Sequence, residues 1–496
     1  MNTQNRWSDA EADAFIDRYA QRGFNTDMAL RVYTSRLLGA DTRLVQHGGG
    51  NTSVKTVQPD LLGAETAVLC VKGSGWDLQA IEPAGLPALR MQSLLSLRGL
   101  RQMRDEDMVN AQRCALLDST APTPSVETLL HAWIPEKFID HTHANAILAL
   151  TDQPQGADLC RELFGARVAV APYCMPGFAL AHQAADTYAM HPGTEGLVLL
   201  KHGLFTWGAT AQEAYERMIA LVQLAEDRLR AADKKSSRGR PRGQKLAAAG
   251  VAPVVRGALM RASGLKWSLA ARTNGVVRAY VDHPQLARFS QVGVATPDHV
   301  IRTKPWPMIL DLADVAPHTW REAADAALVA YTERYRAYFD QGAAAATEKK
   351  VALDPFPRVV LAPGLGVFGV GASAKDAAIA ADIAETTIEV VSAAERMDRF
   401  ESISALDIFE MEYWSLEQAK LGKAAPKPLA GAVVAVTGGA GAIGAAIARA
   451  FAASGAEVAV LDLDLAGADA VAKSVKGFAV ACDVTDPASV HQAFAA

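Results

Sequence analysis

Toward its C-terminal end the 496-residue chain reads Val433-Val-Ala-Val436, then Thr437-Gly-Gly-Ala-Gly-Ala-Ile-Gly444, then an alanine-rich stretch from Ala445 to Ala453, then Val458 to Leu461 closed by Asp462. An apolar run of strand length, a glycine turn, a helix former and a second apolar run make a βαβ unit, and such a unit commits this part of the chain to a parallel sheet. The helix N-terminus that follows the glycines can meet a pyrophosphate with free amides. Asp462, on the order of 20 positions after the turn, is placed to accept a ribose hydroxyl pair and to repel a 2′-phosphate, which predicts NAD rather than NADP. Only 66 residues run from Gly431 to Ala496. A complete fold of this type needs further strands, so a fragment or truncated product is expected, with unpaired strand edges and uncovered apolar surface.

The rest of the chain is long enough for other cores, since 496 residues correspond to about three domains at ~150 each. Half of the residues are apolar and 21% are charged, which excludes wholesale disorder and fibrous repeats. A formal net charge of −5 supplies no global positive field, so neither nucleic acid nor an anionic membrane is an expected partner. No apolar run approaches the ~18 residues of a membrane span, and the N-terminal segment lacks a signal-peptide pattern. Five scattered cysteines (70, 114, 160, 174 and 482) form no C-x-x-C pair, as suits a reducing cytoplasm.

Two composition breaks divide the chain. Ser8 with Glu11 forms a capping-box pattern, and apolar spacing through Phe15, Tyr19, Met28 and Tyr33 predicts opening helices broken at Gly23. Short strands follow at 52–57, 67–71, 138–140, 167–171 and 196–200, and a long helix at 211–232. Residues 1–232 are thus an α/β domain. Residues 233–249 include a basic linker with six Lys and Arg between Asp233 and Lys245, read as a solvated tether. Residues 250–420 form a mixed α/β region with strands predicted at 275–281 and 358–362 and helices at 374–396 and 403–419; residues 421–430 are a second linker. Residues 431–496 are the incomplete Rossmann βαβ unit.

The chemistry-bearing residues lie mostly in the first domain. His141-Thr-His143 begins as a strand, so its two imidazoles leave one face and could share an ion. His202 ends the apolar run 197–200 before Gly203, at a strand terminus. Three histidines leave a position open, as catalytic zinc requires. Glu127 opens a helix after Pro122-Thr-Pro-Ser125 and can act as a general base; His131, four positions on, is read as its helical neighbour and left outside the site. Gly48-Gly-Gly-Asn51-Thr-Ser53 and Lys72-Gly-Ser74-Gly75 are turns whose amides and hydroxyls can hold phosphate oxygens. Asp298-His299, within Thr-Pro-Asp-His, is read as a turn.

The ordered motifs GGGNTS, KGSG, PSVETLLH, HTH, PYCMPG and KHGLFTWG, from about residue 26 to 230, resemble the class II aldolase/adducin family, and the layout with a dehydrogenase-like C-terminus resembles bifunctional fusions of a rhamnulose-1-phosphate aldolase with a short-chain dehydrogenase. The resemblance implies a class II aldolase-like α/β/α domain. It makes His141, His143 and His202 ligands of zinc or another divalent ion, Glu127 the catalytic acid/base and Tyr173 a residue close to substrate. Asn51, Ser74, Gly75 and Ser125 would bind a sugar phosphate, with a homo-oligomer expected. Val126 stands where many phosphate-using relatives carry a second serine. At the C-terminus the resemblance places NAD on Thr437, Gly438, Gly441, Ile443, Gly444, Asp462, Asp483 and Val484, with Ala442 in place of a usual glycine and no Tyr-x-x-x-Lys pair following.

The implied reaction is reversible retro-aldol cleavage of a ketose 1-phosphate to dihydroxyacetone phosphate and a hydroxyaldehyde such as lactaldehyde. A sugar-phosphate 4-epimerase, an adducin-like binding module and an NAD-dependent dehydrogenase in a longer protein are the competing readings.

Overall fold

A computed structural model describes residues 3–233, 246–418 and 427–495. The basic run from Lys234 to Lys245 and most of the second linker lie outside these residues. The chain divides into two compact units that do not follow chain order. The first comprises Met1–Ser237, Val292–Ile301 and Glu389–Leu421, and the second Arg238–Gln291, Arg302–Ile388 and Gly422–Ala496. Parts of the middle region therefore belong with the N-terminal unit.

The first unit is built on a seven-stranded sheet. Its strands are β1 (Asn51–Pro59), β2 (Glu65–Val71), β3 (Ala88–Arg90), β4 (Phe138–Thr142), β5 (Val168–Ala171), β6 (Gly196–Leu199) and β7 (Gly203–Gly208), in the order β3-β2-β1-β4-β7-β6-β5. All pairings are antiparallel except β5 with β6. One apolar cluster, including Leu129, Leu130, Ile139, Leu197 and Phe205, and another, including Tyr19, Val32, Val54 and Phe138, bury both faces of the sheet. Ile139 and Phe138 are neighbours in β4 and point to opposite sides, which is why this central strand is buried at every position. The opening helices form as expected, Asp9–Ala20 capped by Ser8 and Thr26–Gly39 capped by Asn25, with Gly23 at φ +80° between them.

Across this sheet Arg31 and Asp140, both fully buried, pair at 2.5 Å. The guanidinium also donates to the carbonyls of Ser53 and Ile139, so the helix carrying Arg31 is tied to β1 and β4.

The second unit contains two sheets. The strands β8 (Ser268–Arg272), β9 (Met308–Ile309), β10 (Val359–Ala362) and β11 (Gly366–Gly371) make the order β8-β11-β10-β9. The strands β12 (Val433–Thr437), β13 (Glu457–Asp462) and β14 (Phe478–Ala481) run parallel in chain order. One expectation fails here: residues 275–281 form a helix, not a strand. The Asn274 side chain accepts hydrogen bonds from the amides of Val276 and Val277, and this cap outweighs the β-preference of the two valines. In the parallel sheet Val433 and Phe478 are about half exposed, and Ile443 and Phe494 on the helices beside it are more so.

Candidate metal centre and its carboxylate

Three segments meet at the sheet end where β4 terminates. His141 is the penultimate residue of β4 and His143 follows its end, while His202 sits in the tight connection between β6 and β7, beside Lys201 at φ +59°. Because β4 pairs with β7, the hairpin turn carrying His202 is delivered to the end of β4. The three imidazoles are buried, and their candidate ligand atoms all lie within 4.8 Å of one another. The Nε2 atoms of His141 and His143 are 3.0 Å apart.

These residues fit a divalent cation. Two nitrogens bound to one zinc at ~2.0–2.1 Å with tetrahedral angles lie ~3.3 Å apart, and two neutral imidazole nitrogens facing each other in a buried site are held best by a shared ion. Burial pushes His141 down to about 4 and His143 well below its ordinary value, so both rings are neutral and able to ligate. The Nδ1 of His141 lies 3.1 Å from the Leu204 carbonyl, which assigns the proton to Nδ1 and leaves the Nε2 lone pair toward the cluster. The ring also stacks on Phe205 at 3.9 Å.

Glu127 faces the cluster, with Oε2 3.6 Å from His141 Nε2 and Oε1 3.5 Å from His202 Nε2. It caps the short helix Thr128–Trp133 rather than lying within it, and its own amide donates to Ser125 Oγ at 3.3 Å. Asn51 Nδ2 donates to Glu127 Oε2 at 2.5 Å and to Ser125 Oγ at 3.2 Å. The expected neighbour relation of His131 to Glu127 is corrected: the His131 ring bonds Asn51 Oδ1 through Nε2 and Ser53 Oγ at 2.8 Å through Nδ1. His131 thereby orients the asparagine that holds the carboxylate, a role that sequence spacing alone did not disclose.

The residues of the two glycine turns are joined to the same site. Ser74 N donates to the Thr123 carbonyl at 2.8 Å, and Ser125 N to the Lys72 carbonyl at 3.1 Å, so the 72–75 turn is joined to the segment leading into Glu127. Gly75 takes φ +82°. Lys72 is almost fully buried and donates from Nζ to the Gly48 carbonyl at 2.9 Å, linking the two glycine turns. Sequence reasoning passed over this lysine, although it opens the KGSG motif. The Tyr173 hydroxyl is buried with no hydrogen-bond partner; its pKa is raised by burial and then by Asp407, Cys174, Asp298 and Glu410.

At the C-terminus Asp462 Oδ2 accepts from the Ala440 amide at 2.9 Å and so braces the glycine turn. The Asp464 amide, and then that of Ala440, hold its pKa down, and the residue is half-buried at the end of β13. Gly438 takes φ +63°, and a Cβ on Gly444 would stand 2.1 Å from the Gly438 carbonyl. Asp483 accepts from the amide and hydroxyl of Thr485, shaping the turn before the last helix.

Residues 29–229 match the class II aldolase and adducin N-terminal domain, residues 246–421 the second domain of class II aldolases, and residues 432–496 the short chain dehydrogenases. These matches place the chain in the class II aldolase and adducin family. More particularly, the chain belongs to the fusions of class II aldolase domains with a short-chain dehydrogenase domain: it is 34% identical over 486 residues to the uncharacterized oxidoreductase YuxG of Bacillus subtilis, covering 93% of this chain and 69% of that protein. The C-terminal part is 49% identical over 72 residues to a D-threitol dehydrogenase of Mycolicibacterium smegmatis, which covers 27% of that enzyme. Among solved structures, the N-terminal class II aldolase domain of a Thermoplasma acidophilum protein is 40% identical, spanning 46% of this chain and all of that one, with TM-score 0.41. A sugar-phosphate aldolase from Thermotoga maritima is 18% identical, over 42% and 96% of the two chains, with TM-score 0.32. No described helix is long and apolar enough to cross a membrane.

Proposed function

We propose that the first unit catalyses metal-dependent retro-aldol cleavage of a ketose 1-phosphate, releasing dihydroxyacetone phosphate and a hydroxyaldehyde such as lactaldehyde, in the cytoplasm. The observation that carries this reading is the convergence of His141, His143 and His202 beside the Glu127 carboxylate. A divalent ion bound by the three imidazoles supplies the Lewis acidity that stabilises the enediolate charge. The chain's own groups move the proton. As the carbon–carbon bond breaks, its electron pair passes to the phosphate-bearing fragment, Glu127 accepts the hydroxyl proton of the departing aldehyde fragment, and the same carboxyl returns a proton to the enediolate carbon.

Asn51 fixes the carboxylate at 2.5 Å, and His131 fixes Asn51. The turns at 48–51 and 72–75 bring the Ser74 and Ser125 hydroxyls, Gly75 and the buried Lys72 ammonium to one place, where hydroxyls and a positive charge suit a phosphate. The buried Tyr173 hydroxyl, which has no hydrogen-bond partner among the described residues, is left to meet the substrate. In the second unit the glycine turn from Thr437 to Gly444 and the half-buried Asp462 suit the adenosine half of NAD, with Ile443, Asp483 and Val484 flanking it.

The test is metal content together with a coupled assay for dihydroxyacetone phosphate over several ketose 1-phosphates. Glu127→Gln should keep the ion and lose ~10²–10⁴-fold in kcat; full activity in that variant removes Glu127 from the reaction. Epimerisation without aldehyde release would redirect the assignment to a sugar-phosphate 4-epimerase.

A further inference from the structure

Of the two stretches of the middle region that belong to the first unit, the shorter is Val292–Ile301. Within it Pro297–His299 form a single 3-10 turn. The segment is seated firmly: Ser402 Oγ donates to the Val294 carbonyl at 2.6 Å, and a Cβ on Gly293 would meet Ser402 Oγ at 2.6 Å. Its tip meets the metal cluster. Asp298 Oδ1 stands 3.5 Å from His143 Nδ1, the side of that ring remote from His141. The His299 ring lies 6.3 Å from that of His143, and both rings close on Gly49, where a Cβ would be 3.3 Å from His143 Nδ1 and 3.6 Å from His299 Nε2.

The two strand-end histidines are anchored differently. His141 has its outer nitrogen against a backbone carbonyl at 3.1 Å. The outer nitrogen of His143 is buried and makes no direct hydrogen bond, yet it faces a carboxylate. Ligating histidines are commonly oriented by a carboxylate or carbonyl on the far nitrogen, which fixes the tautomer and raises the basicity of the ligating one. The 3.5 Å gap exceeds a charge-assisted hydrogen bond of ~2.7–2.9 Å by an amount that a small ring rotation closes.

We propose that Asp298 is a positioning residue for His143: it accepts the Nδ1 proton, presents Nε2 to the cation, and thereby makes the aldolase site depend on a segment contributed by the middle region. The inference rests on the metal-centre reading above and adds to it a residue outside the N-terminal domain.

The experiment uses the full chain, with Asp298→Ala and Asp298→Asn beside the wild type. Three quantities are measured: zinc affinity by chelator competition, the visible spectrum of the cobalt-loaded proteins, and the melting of the metal-free proteins. Asp298→Ala should lower zinc affinity ~10–100-fold and shift the cobalt spectrum without altering metal-free melting. Asp298→Asn, whose amide oxygen can still accept a hydrogen bond from Nδ1–H, should recover most of that loss, and Asp298→Gly, which likewise offers no acceptor, replaces the alanine variant if that one does not fold. Wild-type affinity and an unchanged cobalt spectrum in the variant that lacks an acceptor at position 298 overturn the proposal while leaving the metal centre intact. A wild-type protein that takes up no zinc or cobalt overturns both.

Discussion

Gly203→Ala offers a direct measure of how tightly the sheet grips its ligands. Gly203 starts β7 against the end of β4, and a Cβ there would lie 2.4 Å from the Thr142 carbonyl, 3.0 Å from His141 Cε1 and 3.2 Å from His143 Cδ2. Relief of the worst contact needs a shift of at least about 0.6 Å, given that real Cβ contacts essentially never fall under 3.0 Å. That displacement is about three times the ±0.2 Å tolerance of a metal–ligand bond, and it falls on the strand end that carries two of the three imidazoles. Overpacking of this kind costs ~1–3 kcal/mol in stability, and the mispositioned ligands should cost at least ~10-fold in zinc affinity. Gly63→Ala is the control: Gly63 takes φ +80° with nothing within 4 Å of an added Cβ, so it loses stability through backbone strain alone, ~1–2 kcal/mol. Melting curves and chelator competition on both variants separate the effects. If Gly203→Ala retains wild-type zinc affinity while losing as much stability as Gly63→Ala, the claim that β4 and β7 jointly set the ligand geometry is wrong.

Three other outcomes are expected. Asn51→Ala should leave zinc content unchanged and lower kcat ~10–100-fold by freeing Glu127, as steady-state kinetics will show; an unchanged kcat removes the asparagine from the proton path. Burial depresses His141 from 6.5 to about 4, so the unfolded chain binds the extra proton first, and the metal-free protein should lose stability as pH falls from about 6.5 to about 4; a flat denaturation midpoint over that window contradicts the burial argument. Asp140→Asn leaves Arg31 buried without its counter-charge and should cost ~3–5 kcal/mol in denaturant unfolding, a loss that a cost under ~1 kcal/mol would refute.

Much of the fold was legible because local signals agreed with tertiary demands. The Ser8 cap, the break at Gly23 and most strands of the first sheet stand where spacing predicts them. β3 and β7 were missed: the first has three residues, and the second, Gly203–Gly208, is framed by glycines that read as turn. Residues 275–281 were misread because valine favours strands while the deciding signal, the Asn274 cap, lies just outside the apolar run. The three histidines and Glu127 could be read from motif order, but His131 and Asp298 could not. His131 acts across the β1 ladder through Asn51, and Asp298 arrives from more than a hundred residues downstream of His143, contacts that no local period encodes.

The β1–β4 ladder places Asn51 directly opposite His141. Since neighbouring residues on a strand face opposite ways, adding or deleting one residue in either strand would turn the asparagine away from the carboxylate it secures. The distal hairpin is under no such restriction: Leu61 and Leu62 are more than nine-tenths exposed, beyond the last rung at Pro59 and Glu65. A reporter peptide or affinity handle spliced between those two leucines should therefore leave the chemistry running, whereas the same splice beside Gly50 should silence it.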